Sequence, residues 1–183
     1  MKSNRKRQGG FTMIEMTGVL AVTMILSALA TFSFTDVMLA YQAGLDARSI
    51  QSQVALARMR ASSAFDQAQV SFNQDARTYQ IELQNKATLA YAIDAGTSAA
   101  FLSRGVNFGF GNISTPAGEQ ATIYQSTTIR FNSRGVPVDA SGAPTGDYAI
   151  YLTSANGLTY AVTVSRSGRV NMWEYVGSAW VLR

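Results

Sequence analysis

No charged residue occurs between Met16 and Phe34, and the apolar run that contains this stretch begins at Phe11, directly after Gly9 and Gly10. From Phe11 to Phe34 there are 24 residues, about 36 Å as an α-helix, which is enough to cross a bilayer. So long and uniformly apolar a segment fits poorly as a buried core helix. Lys2, Arg5, Lys6 and Arg7 lie on its amino side, so the positive-inside rule predicts a cytoplasmic leader, with residues beyond Asp36 outside. An ordinary secretory signal places its apolar segment ahead of the cleavage site and loses it. Here the small residues come first, and cutting after Gly10 keeps the helix.

One carboxylate, Glu15, interrupts the run. An ionised acid at membrane depth costs on the order of 2.5 to 3.5 kcal/mol on insertion scales, so something must compensate for it. Either the side chain snorkels to the headgroups, being close to the end of the run, or a cation from another molecule pairs with it.

The sequence GFTMIE followed by GVLAVTMILSALATF resembles the class III signal of type IV prepilins and of the pseudopilins of type II secretion. The resemblance covers residues 8 to 35 and implies cleavage after Gly10 by a membrane prepilin peptidase, with methylation of the new amino terminus at Phe11. Glu15 then falls fifth in the mature chain, where this family typically has glutamate. The implied partner of Glu15 is the Phe11 ammonium of an adjacent subunit, which makes Glu15 an assembly residue. The chain departs from the usual pattern in lacking a proline near Phe32.

The formal charge of +4 describes the unprocessed chain. The leader holds four of the 15 basic residues and no acid, so its removal leaves 11 basic against 11 acidic. The basic balance is therefore no argument for nucleic-acid binding. About 150 residues follow the anchor, which is enough for one exported domain. Cysteine is absent, so stability must come from packing without disulfides.

From Asp36 to about Phe65 the chain has no proline and carries Ala43, Ala47, Ile50, Val54, Ala57, Ala61 and Ala64 at alternating spacings of four and three. That spacing predicts one helical stripe against a sheet, with Asp46, Ser49, Gln53 and Arg60 on a more polar side. A single helix of some 55 residues and about 80 Å would join anchor to domain. Gly44 is its weakest point, and two helices hinged there are the alternative. Beyond residue 66, turn clusters separate short β-branched and aromatic segments, which predicts antiparallel sheet. The expected strands are 68–73, 77–84, 122–131, 147–153, 158–165 and 169–176. The last two form a hairpin whose inner face is Leu158, Tyr160, Val162, Val164, Val170 and Met172. Residues 86 to 121 read as a strand or short helix followed by a long loop.

The order of an Ala-rich helix, QVSFNQDARTYQI, TIRFNSRGVPV and TYAVTVSRSGRVNMW resembles the GspH/FimT group of minor pseudopilins and minor pilins, including a late turn at Ser167, Gly168, Arg169 and Val170. The resemblance implies an α+β fold: a long amino-terminal helix, half transmembrane and half soluble, packed on an antiparallel, β-sandwich-like head. The divisions are a leader at 1–10, an anchor and filament core at 11–35, an amphipathic continuation at 36–66 and a β-rich head at 67–183.

The absence of histidine and cysteine excludes His-dependent triads, thiol nucleophiles and the usual zinc sets. The head's acids show no diagnostic pairing, so no enzymatic activity and no cofactor are expected. Asp139 and Asp147 bracket a loop of the kind related pseudopilins use for calcium, but without an EF-hand pattern a solvated turn is expected and no metal. Some FimT-like minor pilins bind DNA through a GRxR turn; here Gly168 and Arg169 are followed by Val170 and Asn171, leaving Arg166, Arg169 and Arg183 as DNA-binding candidates. Trp173, Tyr175 and Trp180 could add a stacking surface, although packing is the commoner fate of such residues.

The resulting expectation is a structural minor pilin-like subunit of a type II secretion pseudopilus or type IV pilus, with a DNA-binding minor pilin of natural transformation as the alternative. It sits in the inner membrane as a single-pass protein, head outward. The implied partners are other pilin or pseudopilin subunits, the prepilin peptidase, an inner-membrane assembly platform and a separate cytoplasmic ATPase.

Overall fold

The computed structural model describes residues 10–183. The cationic leader residues Lys2, Arg5, Lys6 and Arg7 lie outside the described residues. The chain divides between Met38 and Leu39 into two compact units.

Helix α1 runs without interruption over Met13–Ala64, so Gly44 is not a hinge. A Cβ added at Gly44 would stand 3.7 Å from the Tyr160 hydroxyl, an ordinary contact, and the small residue lets that ring lie against the helix. In the first unit every described side chain from Phe11 to Leu29 is exposed. Among the described residues no helix is long and apolar enough to cross a membrane. The uncharged run read from the sequence continues through Ala30–Ser33, whose side chains are not among those described.

The second unit is built on the other half of α1. Ala43, Ala47, Ile50, Val54, Ala57 and Ala61 are all completely buried, as the spacing predicts. Ala64 is exposed instead, because the helix ends there. Phe65 adopts a left-handed φ of 53° and Asp66 N–H donates to the Ala61 carbonyl, the Schellman arrangement that closes a helix.

All strand pairings are antiparallel. β1 (Ala68–Asn73), β2 (Thr78–Gln84), β3 (Tyr91–Ile93), β4 (Ala100–Phe101), β6 (Thr128–Phe131) and β7 (Pro137–Val138) form one sheet of order β3-β2-β1-β6-β7, with β4 also on β2. β5 (Val106–Phe108), β8 (Tyr148–Ser154), β9 (Thr159–Val164), β10 (Val170–Val176) and β11 (Ala179–Leu182) form the second, of order β11-β10-β9-β8-β5. The expected hairpin is present with Val170 opposite Val164 and Met172 opposite Val162. The main core joins the α1 stripe to Val70, Ile81, Ile129 and Phe131 of one sheet and Ile150, Leu152, Val162 and Val164 of the other.

β9 is buried along its whole length. Its second face, with Ala149 and Tyr151 of β8, packs under Ala117, Phe110, Ile123, Trp173 and Trp180. The segment that covers this face departs from the sequence reading in two ways. Residues 86 to 121 contain no helix but three short strands, β3, β4 and β5. The strand expected over 122–131 shrinks to 128–131, because its first half crosses between sheets. The Gln125 side chain pairs with Tyr151 as a backbone would, accepting from its N–H and donating to its carbonyl. Ser126 N–H donates to the Ala149 carbonyl, while the Thr127 carbonyl already accepts from Phe72 of the other sheet.

The supposed polar side of α1 also differs. Asp46 is buried, its two oxygens accepting from the Ser103 N–H at 2.8 Å and hydroxyl at 2.9 Å. Its position, three after Ala43 and four before Ile50, lies on the core stripe itself. Arg60 forms an ion pair with Asp94 at 3.2 Å, and Ser49 hydrogen-bonds the Tyr79 hydroxyl. These contacts tie β2 and the loops after β3 and β4 to the helix.

Candidate functional site

The amino end of α1 is organised by Thr12 and Glu15. Gly10, Phe11 and Thr12 precede the helix in non-helical backbone, and both Gly10 and Phe11 are exposed, Phe11 to 84%. The Thr12 N–H and hydroxyl each donate to Glu15 Oε2 at 2.8 Å, and Glu15 N–H returns a bond to the Thr12 hydroxyl at 3.3 Å. This is a capping box: Thr12 satisfies an unpaired amide of the first turn, and Glu15 reaches back to an amide outside the helix. The helix dipole adds to it by favouring a negative charge in the first turn. Sequence reasoning missed this device, although Thr-x-x-Glu ahead of an apolar run is its signature.

Both donors from Thr12 fall on Oε2, and Oε1 accepts nothing among the described residues. Beside the carboxylate is a shallow groove of about 460 Å3 lined by Phe11, Glu15, Gly18, Val19, Val22 and Thr23. A side chain at Gly18 would meet nothing within 4 Å, so the missing Cβ leaves the notch open. The arrangement is one half-satisfied carboxylate in an otherwise apolar recess.

The three arginines considered for DNA differ in their surroundings. Arg166 and Arg169 are exposed on the β9–β10 turn, which is held by Gly168 N–H on the Ser165 carbonyl and Arg169 N–H on the Ser165 hydroxyl. Gly168 is required there: its φ is +81°, and a Cβ would lie 2.8 Å from the Gly135 carbonyl oxygen. The Arg58 guanidinium donates to the Gly168 carbonyl at 2.9 Å, fixing the turn to α1. Glu119 accepts from the Arg166 backbone N–H, bringing negative charge to the turn. Arg183 is paired at 2.6 Å with Glu174 of β10. The aromatic residues are used internally: Trp173 donates to the Thr163 hydroxyl, while Trp180 donates to the Thr115 carbonyl and packs on Tyr151 and Tyr175. Two arginines without a stacking platform give little affinity for a nucleic-acid strand.

Asp139 is satisfied within its own turn, accepting from the Ser141 hydroxyl and the Ser141 and Ala143 amides. The Ser141 hydroxyl and these amides hold its carboxyl below the usual range. Among the described residues no group of three or more acids is placed to hold a metal.

Residues 5–31 match the prokaryotic N-terminal methylation motif, a span that includes Gly10, Phe11 and Glu15. That motif stands ahead of one long helix and two antiparallel sheets. The fold is similar to that of a minor pseudopilin. The structure of the minor pseudopilin EpsH from the type 2 secretion system of Vibrio cholerae matches at a TM-score of 0.51 and 15% identity, covering 72% of this chain and 95% of that one. A crystal structure of the same Vibrio cholerae pseudopilin gives 0.50 and 15%, covering 72% and 92%. No curated protein matches the chain by sequence.

Proposed function

We propose that the protein is a minor pseudopilin-like structural subunit of a type II secretion pseudopilus, made as a precursor and assembled by helix packing. The observation that carries this reading is the state of residues 10–15. An exposed, non-helical Gly10–Phe11 bond suits a peptidase that needs extended backbone. Four residues further on, inside the methylation motif, stands a carboxylate with one oxygen unused.

Residues 1–10 are the leader, 11–35 the membrane anchor and filament core, 36–66 the continuation of the helix and 67–183 the head. Before assembly the anchor holds the subunit in the inner membrane with the leader cytoplasmic. Prepilin peptidase cuts after Gly10, and Phe11 becomes the methylated terminus. Thr12 supplies Glu15 with local hydrogen bonds but no opposite charge. The ammonium of a neighbour's Phe11 completes the pair at Oε1 and converts two isolated charges in an apolar medium into one neutral site. Register between subunits follows from that pairing. The role is structural rather than catalytic, and the assembly platform and other pseudopilins are the partners.

Glu15→Ala tests the reading in cells that assemble the filament. The variant should be processed and reach the membrane yet be absent from sheared or purified filaments. Incorporation at the wild-type level would refute the role given to Glu15.

A further inference from the structure

Away from the amino-terminal segment, the second unit has a groove of about 990 Å3 between α1 and the β9–β10 turn. Its helical wall carries Ser52, Ala55, Met59 and Ser62, at spacings of three, four and three. That is a second seam on α1, separate from the buried stripe, with side chains small enough for another helix to approach closely. Met59 is 68% exposed on it, an apolar and adaptable side chain without cover. Val170 lines the opposite wall.

The groove is also cationic. Arg48, Arg58 and Arg169 line it, and no aspartate or glutamate does. Arg58 serves the turn by donating to the Gly168 carbonyl. Arg48 and Arg169 are exposed, and neither makes a hydrogen bond through its side chain or an ion pair among the described residues. An occupant that meets all of this is helical, apolar on one side and acidic at its edges. A second copy of this chain supplies no such helix, because the only acid of α1 between Leu39 and Ala64 is Asp46, which is buried. Nucleic acid fits less well, since no aromatic side chain lines the groove for a base to stack on.

We propose that this groove docks an acidic helical segment of a different, neighbouring subunit, with Arg48 and Arg169 gripping its carboxylates over a floor of Ala55, Met59 and Val170. The proposal rests on the filament-subunit reading for the source of the partner, but the chemistry of the groove can be measured without any filament.

The test uses the full-length, processed protein in nanodiscs and a fluorescent amphipathic helical peptide of roughly 20 residues with glutamates flanking its apolar face. Saturable binding is expected, weakened about tenfold or more when the glutamates become glutamines and again in Arg48→Ala/Arg169→Ala. The double variant should melt at the wild-type temperature, since neither side chain holds the fold. Met59→Ala should weaken binding at all salt concentrations, whereas the arginine effect should fade as salt rises. Equal binding of the acidic and neutral peptides, or indifference to the arginine changes, overturns the proposal. So does preferential displacement of the peptide by an oligonucleotide, or self-association through the groove. Glu15→Ala should bind the peptide normally, so a failed filament reading and a failed groove give different results.

Discussion

Two isoleucines on the same helix, Ile25 and Ile50, have opposite surroundings: Ile25 is 62% exposed and Ile50 is completely buried. Around Ile25 the apolar residues occur on all sides of the helix, so no face is distinguished, and the described side chains from Phe11 to Leu29 are exposed. Around Ile50 they recur at three- and four-residue spacing, which selects one face, and two sheets close over it. The first pattern suits a medium that is apolar in every direction, such as lipid or a bundle of like helices. The second suits a surface that is apolar on one side only. One continuous helix thus carries two patterns, and periodicity rather than mean hydropathy distinguishes them.

The largest expected contrast comes from truncating both isoleucines. Ile50→Ala removes packed atoms from the centre of the core and should destabilise the head by about 2–5 kcal/mol. Ile25→Ala should leave head stability within about 0.5 kcal/mol. Thermal melting followed by near-ultraviolet circular dichroism reports on the head alone, and equal losses from the two variants would dissolve the distinction between the halves.

Acid titration gives a smaller effect and probes the polar contacts of the head. Burial raises the pKa of Glu82, but the amides of Gln69 and Gln80 and the Ser71 hydroxyl together bring it below the ordinary value. Glu82 therefore contributes stability that is present above the unfolded carboxylate pKa and lost as pH falls through the folded one. Burial raises the pKa of Asp46, only partly offset by Ser103, so its contribution has the opposite sign: stability is lost as pH rises through the carboxylate range. Melting temperature measured against pH should therefore fall less steeply on the acid side in Glu82→Gln than in the wild type, and more steeply in Asp46→Asn. Parallel acid limbs in all three proteins would show that these carboxylates do not titrate differently in folded and unfolded states.

The smallest effect is expected at Gly44. Its helical backbone and the 3.7 Å clearance to Tyr160 accommodate a methyl group, so Gly44→Ala should stabilise the head by about 0.5–1 kcal/mol. A lower melting temperature would mean that the Tyr160 contact needs the glycine after all.

The helix, its buried stripe and the β9–β10 hairpin were legible in the sequence because each is a local periodicity: four-three along α1, alternation from Leu158 to Val164. The short strands β3, β4, β5, β7 and β11 were not, having only two to four residues each and owing their existence to the neighbours they pair with. The shortening of β6 had the same cause, since Gln125 imitates backbone pairing through its side chain, which no propensity reports. At the candidate site the sequence singled out Gly10, Phe11 and Glu15. The capping box with Thr12 is equally readable, since Glu15 stands three residues after a threonine. Asp46 reads as part of the more polar side although its spacing places it on the stripe; its partner Ser103, 57 residues away, is visible only in the fold. Arg166, Arg169 and Arg183 are candidates through the resemblance to a GRxR turn, and the pairing of Arg183 with Glu174 is visible only in the fold.

The account depends on removal of the leader at Gly10–Phe11, which frees the amine that Glu15 is proposed to meet. Intact-mass measurement of the protein purified from cells with and without prepilin peptidase tests this. With the enzyme, the chain should lack residues 1–10 and carry one methyl group on Phe11; without it, the full precursor should be recovered. A full-length, unmethylated chain in cells with active peptidase would contradict the account.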